Sequence, residues 1–136
     1  MLDILKRRQM RGTKGERQMG DPVNTFEIAG HDLKKLGAFY QDAFDWKLGA
    51  PQPAYTMMFP KEGLPVAGVL FPARAGAAGH AMFYVQVADI DGKLAKIEAL
   101  GGRTVQKRIT VPDGPTIGKF ADPEGNVVGL WIPRPR

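Results

Sequence analysis

The chain has 136 residues, enough for one domain with a core of its own. It has no cysteine and no serine, which excludes disulfides, thiolate metal sites and both thiol and serine nucleophiles. Of its net charge of +5, residues 1–18 carry +4, so the remainder is close to neutral and no nucleic-acid partner is expected for the domain.

Residues 1–20 read as a basic, disordered leader in which Lys6, Arg7, Arg8, Arg11, Lys14 and Arg17 outweigh Asp3 and Glu16, with Met19 as an alternative start. This segment lacks the apolar stretch of a secretory signal, and no run in the chain approaches the roughly 20 apolar residues that span a bilayer. A cytoplasmic protein with no membrane partner is expected. The domain itself is placed at 21–134.

Asn24 to Ala29 alternates and predicts a strand. Gly30-His31-Asp32 offers a turn, with Asp32 as helix N-cap and His31 helping to cap. Leu33, Leu36, Phe39, Tyr40, Ala43 and Phe44 form the expected apolar face of the helix, and Trp46 lies in a short strand. Ala50-Pro51-Gln52-Pro53 breaks the pattern. Tyr55 to Phe59 and Val66 to Phe71 are strands around the turn Lys61-Glu62-Gly63. The Ala/Gly-rich stretch Arg74 to Gly79 is a linker.

Ala81 to Val87 is the next strand. Asp89 or Asp91 caps a helix with Leu94, Ile97 and Leu100 on its buried face, and Gly101-Gly102 ends it, since the residue after a helix often needs positive φ. Arg103 to Lys107, Thr116 to Ala121 and Asn126 to Ile132 are the last strands. Asp122-Pro123-Glu124-Gly125-Asn126 is the turn between the final two.

The chain repeats itself. Thr25-Phe26-Glu27-Ile28 before Asp32-Leu33 matches Met82-Phe83-Tyr84-Val85 before Asp89-Ile90, with Phe26 on Phe83. Val66-Ala67-Gly68-Val69-Leu70 matches Val127-Val128-Gly129-Leu130-Trp131. Two strand–helix–strands units, about 22–73 and 80–133, imply a pseudo-symmetric sheet with a cleft between its halves.

These residues together resemble the vicinal oxygen chelate superfamily, the group of glyoxalase I, extradiol dioxygenases and bleomycin-resistance proteins. The resemblance rests on the Phe-Glu-Ile strand, the Asp-Leu cap and Phe39-Tyr40 with Phe44-Asp45-Trp46. It continues through Glu98-Ala99-Leu100-Gly101-Gly102 and the closing Asp122-Pro123-Glu124-Gly125-Asn126 before Gly129-Leu130-Trp131. It implies an α+β fold of paired βαβββ modules, a curved mixed sheet around a concave pocket, and a homodimer. The family's enzymes hold a divalent metal with His, Glu or Gln at symmetric strand positions. Those positions fall on Thr25, Met82, Gly68 and Gly129. None is a credible ligand for a catalytic divalent ion, since glycine has no side chain, a thioether prefers soft ions and a neutral hydroxyl is a poor substitute for carboxylate or imidazole. No metal and no other cofactor is therefore expected.

Strand alternation adds Glu27, Tyr84, Gln86, Trp131 and Leu70 to Thr25, Met82, Gly68 and Gly129 as the pocket lining. The two glycines would widen the floor, and Trp131 and Tyr84 could stack on a planar ring. His80 shares the parity of Met82 and stands at the mouth. Such a pocket suits an aromatic or amphipathic organic molecule, as in the bleomycin-resistance branch. Two alternatives stay open. One is a lyase, isomerase or dioxygenase that uses a metal or Glu27 as general base; the other is a dimeric interaction module.

Overall fold

A computed structural model describes residues 20–135; all but the last residue of the expected leader 1–20 lies outside them, as does residue 136. After Pro22 the alternating segment forms β1 (Val23–Gly30), in which Thr25, Glu27 and Ala29 are buried. The Asp32 carboxylate then accepts the Lys35 N–H at 3.0 Å and caps α1 (Leu33–Phe44). His31 does not cap; its Nε2 lies 2.7 Å from the Ala77 carbonyl oxygen.

The inward side of α1 is narrower than the sequence suggests. Leu33, Leu36, Gly37 and Tyr40, spaced i, i+3, i+4, i+7, face the sheet. Gly37 lets the Leu48 and Leu70 side chains come close to the helix. Phe39 lies off that stripe and is 61% exposed. Phe44, in the last residue of the helix, is also exposed and borders the Tyr40–Trp46 stack, whose ring centroids are 5.6 Å apart.

The remaining elements are β2 (Lys47–Leu48), β3 (Thr56–Phe59), β4 (Ala67–Pro72), β5 (His80–Gln86), α2 (Ile90–Ala99), β6 (Arg103–Thr110), β7 (Thr116–Ala121) and β8 (Val127–Ile132). Asp89, not Asp91, caps α2 by accepting the Gly92 N–H; Asp91 pairs with Arg108 instead. Ile90 and Leu94 are buried against Val87 and Leu130. Leu100 was expected on this face but is exposed, because the helix stops at Ala99 and Leu100 forms its C-cap.

All eight strands form one mixed sheet in the order β2-β3-β4-β1-β5-β8-β7-β6. This is the expected α+β fold, with both helices on one face and the sheet curved away from them. β1 pairs parallel with β4 and antiparallel with β5; β5 pairs parallel with β8. Phe26 lies directly opposite Phe83, the residue that repeats it, so the pseudo-two-fold axis passes between those two residues. No helix among the described residues is long and apolar enough to cross a membrane.

The turn after β7 is held by Asp122. Its carboxylate accepts the Glu124 and Asn126 backbone N–H groups and the Asn126 side-chain amide, each at 2.9 Å. The Asn126 bonds, side-chain first and then backbone, hold the carboxyl below its ordinary 3.8. A depressed carboxyl stabilises the fold above its unfolded value and loses that contribution as pH falls through the folded value. Amide protection at Glu124 and Asn126 is therefore expected to be constant at neutral pH and to collapse below 3.8, ahead of β8 itself. Protection that does not change down to global acid unfolding would contradict this.

Candidate functional site

Strand register decides which residues share the face opposite the helices. From β1 these are Thr25, Glu27 and Ala29; opposite them on β5 are Tyr84, Met82 and His80. Gly129 pairs with Tyr84, Trp131 with Gln86, and Lys119 with Gly129. Seven of the nine residues expected to line the pocket therefore lie on one face: Thr25, Glu27, Met82, Tyr84, Gln86, Gly129 and Trp131.

Gly68 and Leu70 do not. On β4 the residues level with Thr25 and Glu27 are Ala67 and Val69, so Gly68 and Leu70 point to the helix side. Gly68 lies under the Phe26 ring, and Leu70 packs at Gly37. Matching Gly68 to Gly129 in the repeat slipped the register by one residue, which turns a strand residue to the opposite face. Val69 holds the position equivalent to Gly129.

Glu27 is the centre of this face. It is 1% exposed, and both of its oxygens are engaged. Tyr84 donates its hydroxyl to Oε1 at 2.5 Å. His80 Nε2 is 2.5 Å from Oε2, and Lys119 Nζ is 3.8 Å from the same atom. Burial first, then the Glu27 charge and its hydrogen bond, hold the Tyr84 phenol proton far above the usual range, so Tyr84 serves as a donor. His80 is 45% exposed at its side chain and connects the buried carboxylate to solvent.

Sequence reasoning placed His80 nearby by parity but missed Lys119. The signal was present: the tight turn Asp122–Asn126 sets Ala121 against Val127, and counting back sets Lys119 against Gly129.

The glycine at 129 does not widen a floor. A methyl group there would collide with the Tyr84 ring, which lies directly on the backbone. Tyr84 meets Trp131 edge-on at 5.1 Å, and both are buried with Val111 and Ile117, bordered by Tyr55 and Phe71. The two rings pack against protein rather than standing open to a ligand. Tyr55 also donates its hydroxyl to the Asp113 carbonyl at 3.2 Å, tying the loop before β3 to the loop after β6 across this half of the face.

The open part lies over the other half. A cavity of about 500 Å³ is lined by residues of the β3–β4 hairpin, by Ala67 and by Lys47. Ala67 is level with Thr25. Phe59 shares the parity of Met57, which pairs with Val69 on Glu27's face, and Lys47 pairs with Phe59.

The divalent metal implied by the resemblance does not fit. Thr25, Met82, Val69 and Gly129 supply one neutral hydroxyl and one thioether between them. The ammonium of Lys119 stands beside the only carboxylate of the cluster, where a cation would be repelled. Among the described residues no group of three or more His, Asp or Glu side chains converges on one point.

Paired βαβββ modules joined across a pseudo-two-fold, with polar groups gathered on the helix-free face, define a two-module α+β cleft protein. The profile of the Glyoxalase/Bleomycin resistance protein/Dioxygenase superfamily matches residues 23–130, and the chain belongs to that family. A glyoxylase-like domain-containing protein of Didymella fabae is 30% identical over 112 residues, covering 76% of this chain and 88% of that protein. Among solved structures, methylmalonyl-CoA epimerase from Mycobacterium tuberculosis superposes with a TM-score of 0.65 at 16% identity, over 83% of this chain and 88% of that one. A Streptomyces coelicolor methylmalonyl-CoA epimerase variant in complex with 2-nitronate-propionyl-CoA gives 0.63 at 17% identity, over 85% and 99%. At these identities the likeness to the epimerases speaks for the fold alone.

Proposed function

We propose that the protein binds a small, partly apolar organic molecule on the helix-free face of the sheet, independently of a divalent metal. The observation that carries this reading is the cavity of about 500 Å³ at Ala67, the β4 neighbour of the buried Thr25, on a face whose four metal positions hold Thr25, Met82, Val69 and Gly129. Ligand pockets commonly enclose roughly 300–1,000 Å³ with apolar walls and a few polar groups. The test is a backbone-amide NMR titration with a panel of small amphipathic compounds, with and without EDTA, alongside elemental analysis. Shifts centred on Phe59, Leu64 and Ala67 that survive EDTA are expected. A requirement for one divalent ion per chain would overturn the reading.

A second reading has its own observation. Glu27 is buried, yet His80 links it to solvent. A carboxylate with a solvent-connected partner can accept and return a proton. Epimerisation, the activity in the names of the structural neighbours, requires proton transfer of this kind. Wild-type protein in D₂O would then exchange a carbon-bound proton of a carbonyl substrate, and Glu27→Gln would abolish the exchange. Equal rates in both would remove this reading.

The partner we propose is a second copy of the chain, docked through α1. Lys35, Ala38, Phe39 and Asp42 are all exposed and share one side at spacing i, i+3, i+4, i+7. Two antiparallel copies of this side set Lys35 against the partner's Asp42 and bury Phe39 between them. Sedimentation should find Lys35→Asp and Asp42→Lys each shifted towards monomer, with the double variant recovering the dimer. A wild-type monomer would refute this, as would a dimer indifferent to both changes.

A further inference from the structure

We infer that the molecule taken by the cavity over β2, β3 and β4 is an amphipathic anion, with an apolar body on the β3–β4 hairpin and its negative end between Lys47 and Lys61. The inference rests on the binding reading above and goes beyond it in assigning the charge of the ligand and the polarity of its seating.

The apolar part comes first. Phe59 is 44% exposed, Leu64 57% and Val66 36%, and all three line this one cavity with Pro65 and Ala67. Large apolar side chains shown singly to solvent are ordinary, but three around one concavity mark a surface that gains by being covered. The cover must enter a concavity rather than lie on a plane, which selects a small molecule with a compact or flexible apolar body.

The charges select the other end. Lys47 pairs with Phe59 across β2 and β3, so it shares that face, and it lines the cavity. Lys61 stands two residues beyond Phe59 at the start of the turn, and it also lines the cavity. Glu62 is the only carboxylate in the lining, which leaves two positive groups against one negative. Both lysines can extend apolar stems along the ligand while their ammonium groups meet its anionic end at the water boundary. A cationic ligand would instead face two like charges.

The experiment compares three probes of equal chain length, decanoate, decanol and decylamine, each kept below its micelle concentration. The amides of Phe59, Leu64, Val66 and Ala67 are followed by NMR at low salt. Decanoate is expected to bind about five-fold or more tighter than decanol, the scale set by two solvent-exposed ion pairs, and decylamine weakest. Lys47→Gln with Lys61→Gln should bring the decanoate-to-decanol affinity ratio to about one. Glu62→Gln should tighten decanoate. These are surface positions, so the variants fold. Decanol binding as tightly as decanoate would overturn the charge assignment while leaving the binding reading standing. Failure of all three probes to move these amides would bring down both. Phosphatidylglycerol vesicles form a parallel arm: shifts at these amides with vesicles and none with free decanoate would overturn a small-molecule ligand in favour of a lipid surface.

Discussion

Replacing Glu27 with leucine is expected to lower the folding free energy by about 3–5 kcal/mol, among the largest losses any single change in this chain should produce. Removing the carboxylate leaves the Tyr84 hydroxyl, in a residue with no solvent exposure, without its acceptor. Lys119 loses its counter-charge and His80 its hydrogen-bond partner at the same time. The leucine adds apolar surface but satisfies none of these groups. Glu27→Gln keeps an oxygen for Tyr84 but removes the charge and turns the acceptor facing His80 and Lys119 into an amide donor, so its cost should be about 1–3 kcal/mol. Urea unfolding with the slope held in common distinguishes the two. A loss for the leucine variant below about 1 kcal/mol would mean that the cluster is solvated in solution rather than buried.

Tyr84→Ala should cost about 3–5 kcal/mol, the range for emptying an aromatic site in a core. The ring stands on Gly129, meets Trp131 edge-on and carries the Glu27 hydrogen bond. Tyr84→Phe isolates that bond and should cost about 1–3 kcal/mol. The contact with Gly129 gives a sharper check. Gly129→Ala alone forces a methyl into the ring and should destabilise by about 1–3 kcal/mol. In the Tyr84→Ala background the same methyl enters vacated space and should cost little or gain. Additive effects in this double-mutant cycle would refute the packing of ring on glycine. Trp131 emission should shift to the red in Tyr84→Ala, as its edge becomes open to water.

Much of the fold was legible because the repeat reports on architecture directly. The Asp-capped helices, the linker and the turn at Asp122–Asn126 all stand where local chemistry places them, and the family resemblance follows from their order. The errors share a cause. The sequence carries period and propensity but not register. A Gly-to-Gly match placed Gly68 in the cleft, whereas the β1–β4 ladder places Val69 there. Phe39 was assigned to the buried face by its i, i+3 spacing from Leu36, but the stripe turns the other way, through Gly37 and Tyr40, and leaves it exposed. Of the polar cluster, Glu27 and Tyr84 came from parity. Lys119 belongs to it only because β7 and β8 are paired, and that pairing is a tertiary fact until the turn is counted. The packing of Tyr84 and Trp131 against Val111 and Tyr55 depends on where two loops fold back, which periodicity does not encode.

The β1–β5 ladder is the only hydrogen-bonded strand pair joining the two halves of the sheet among the described residues. Every other ladder closes within residues 23–72 or 80–132. Seen mechanically, the sheet has a single seam. Each half closes its own ladders, and the two meet where Phe26 faces Phe83. The same seam can be sewn in two ways. A chain whose 73–79 connection folds back zips its own halves together, while one whose connection stays extended offers an identical edge to the other half of a neighbour. Shortening that connection would therefore convert a self-closed fold into one completed by exchange of halves between two chains.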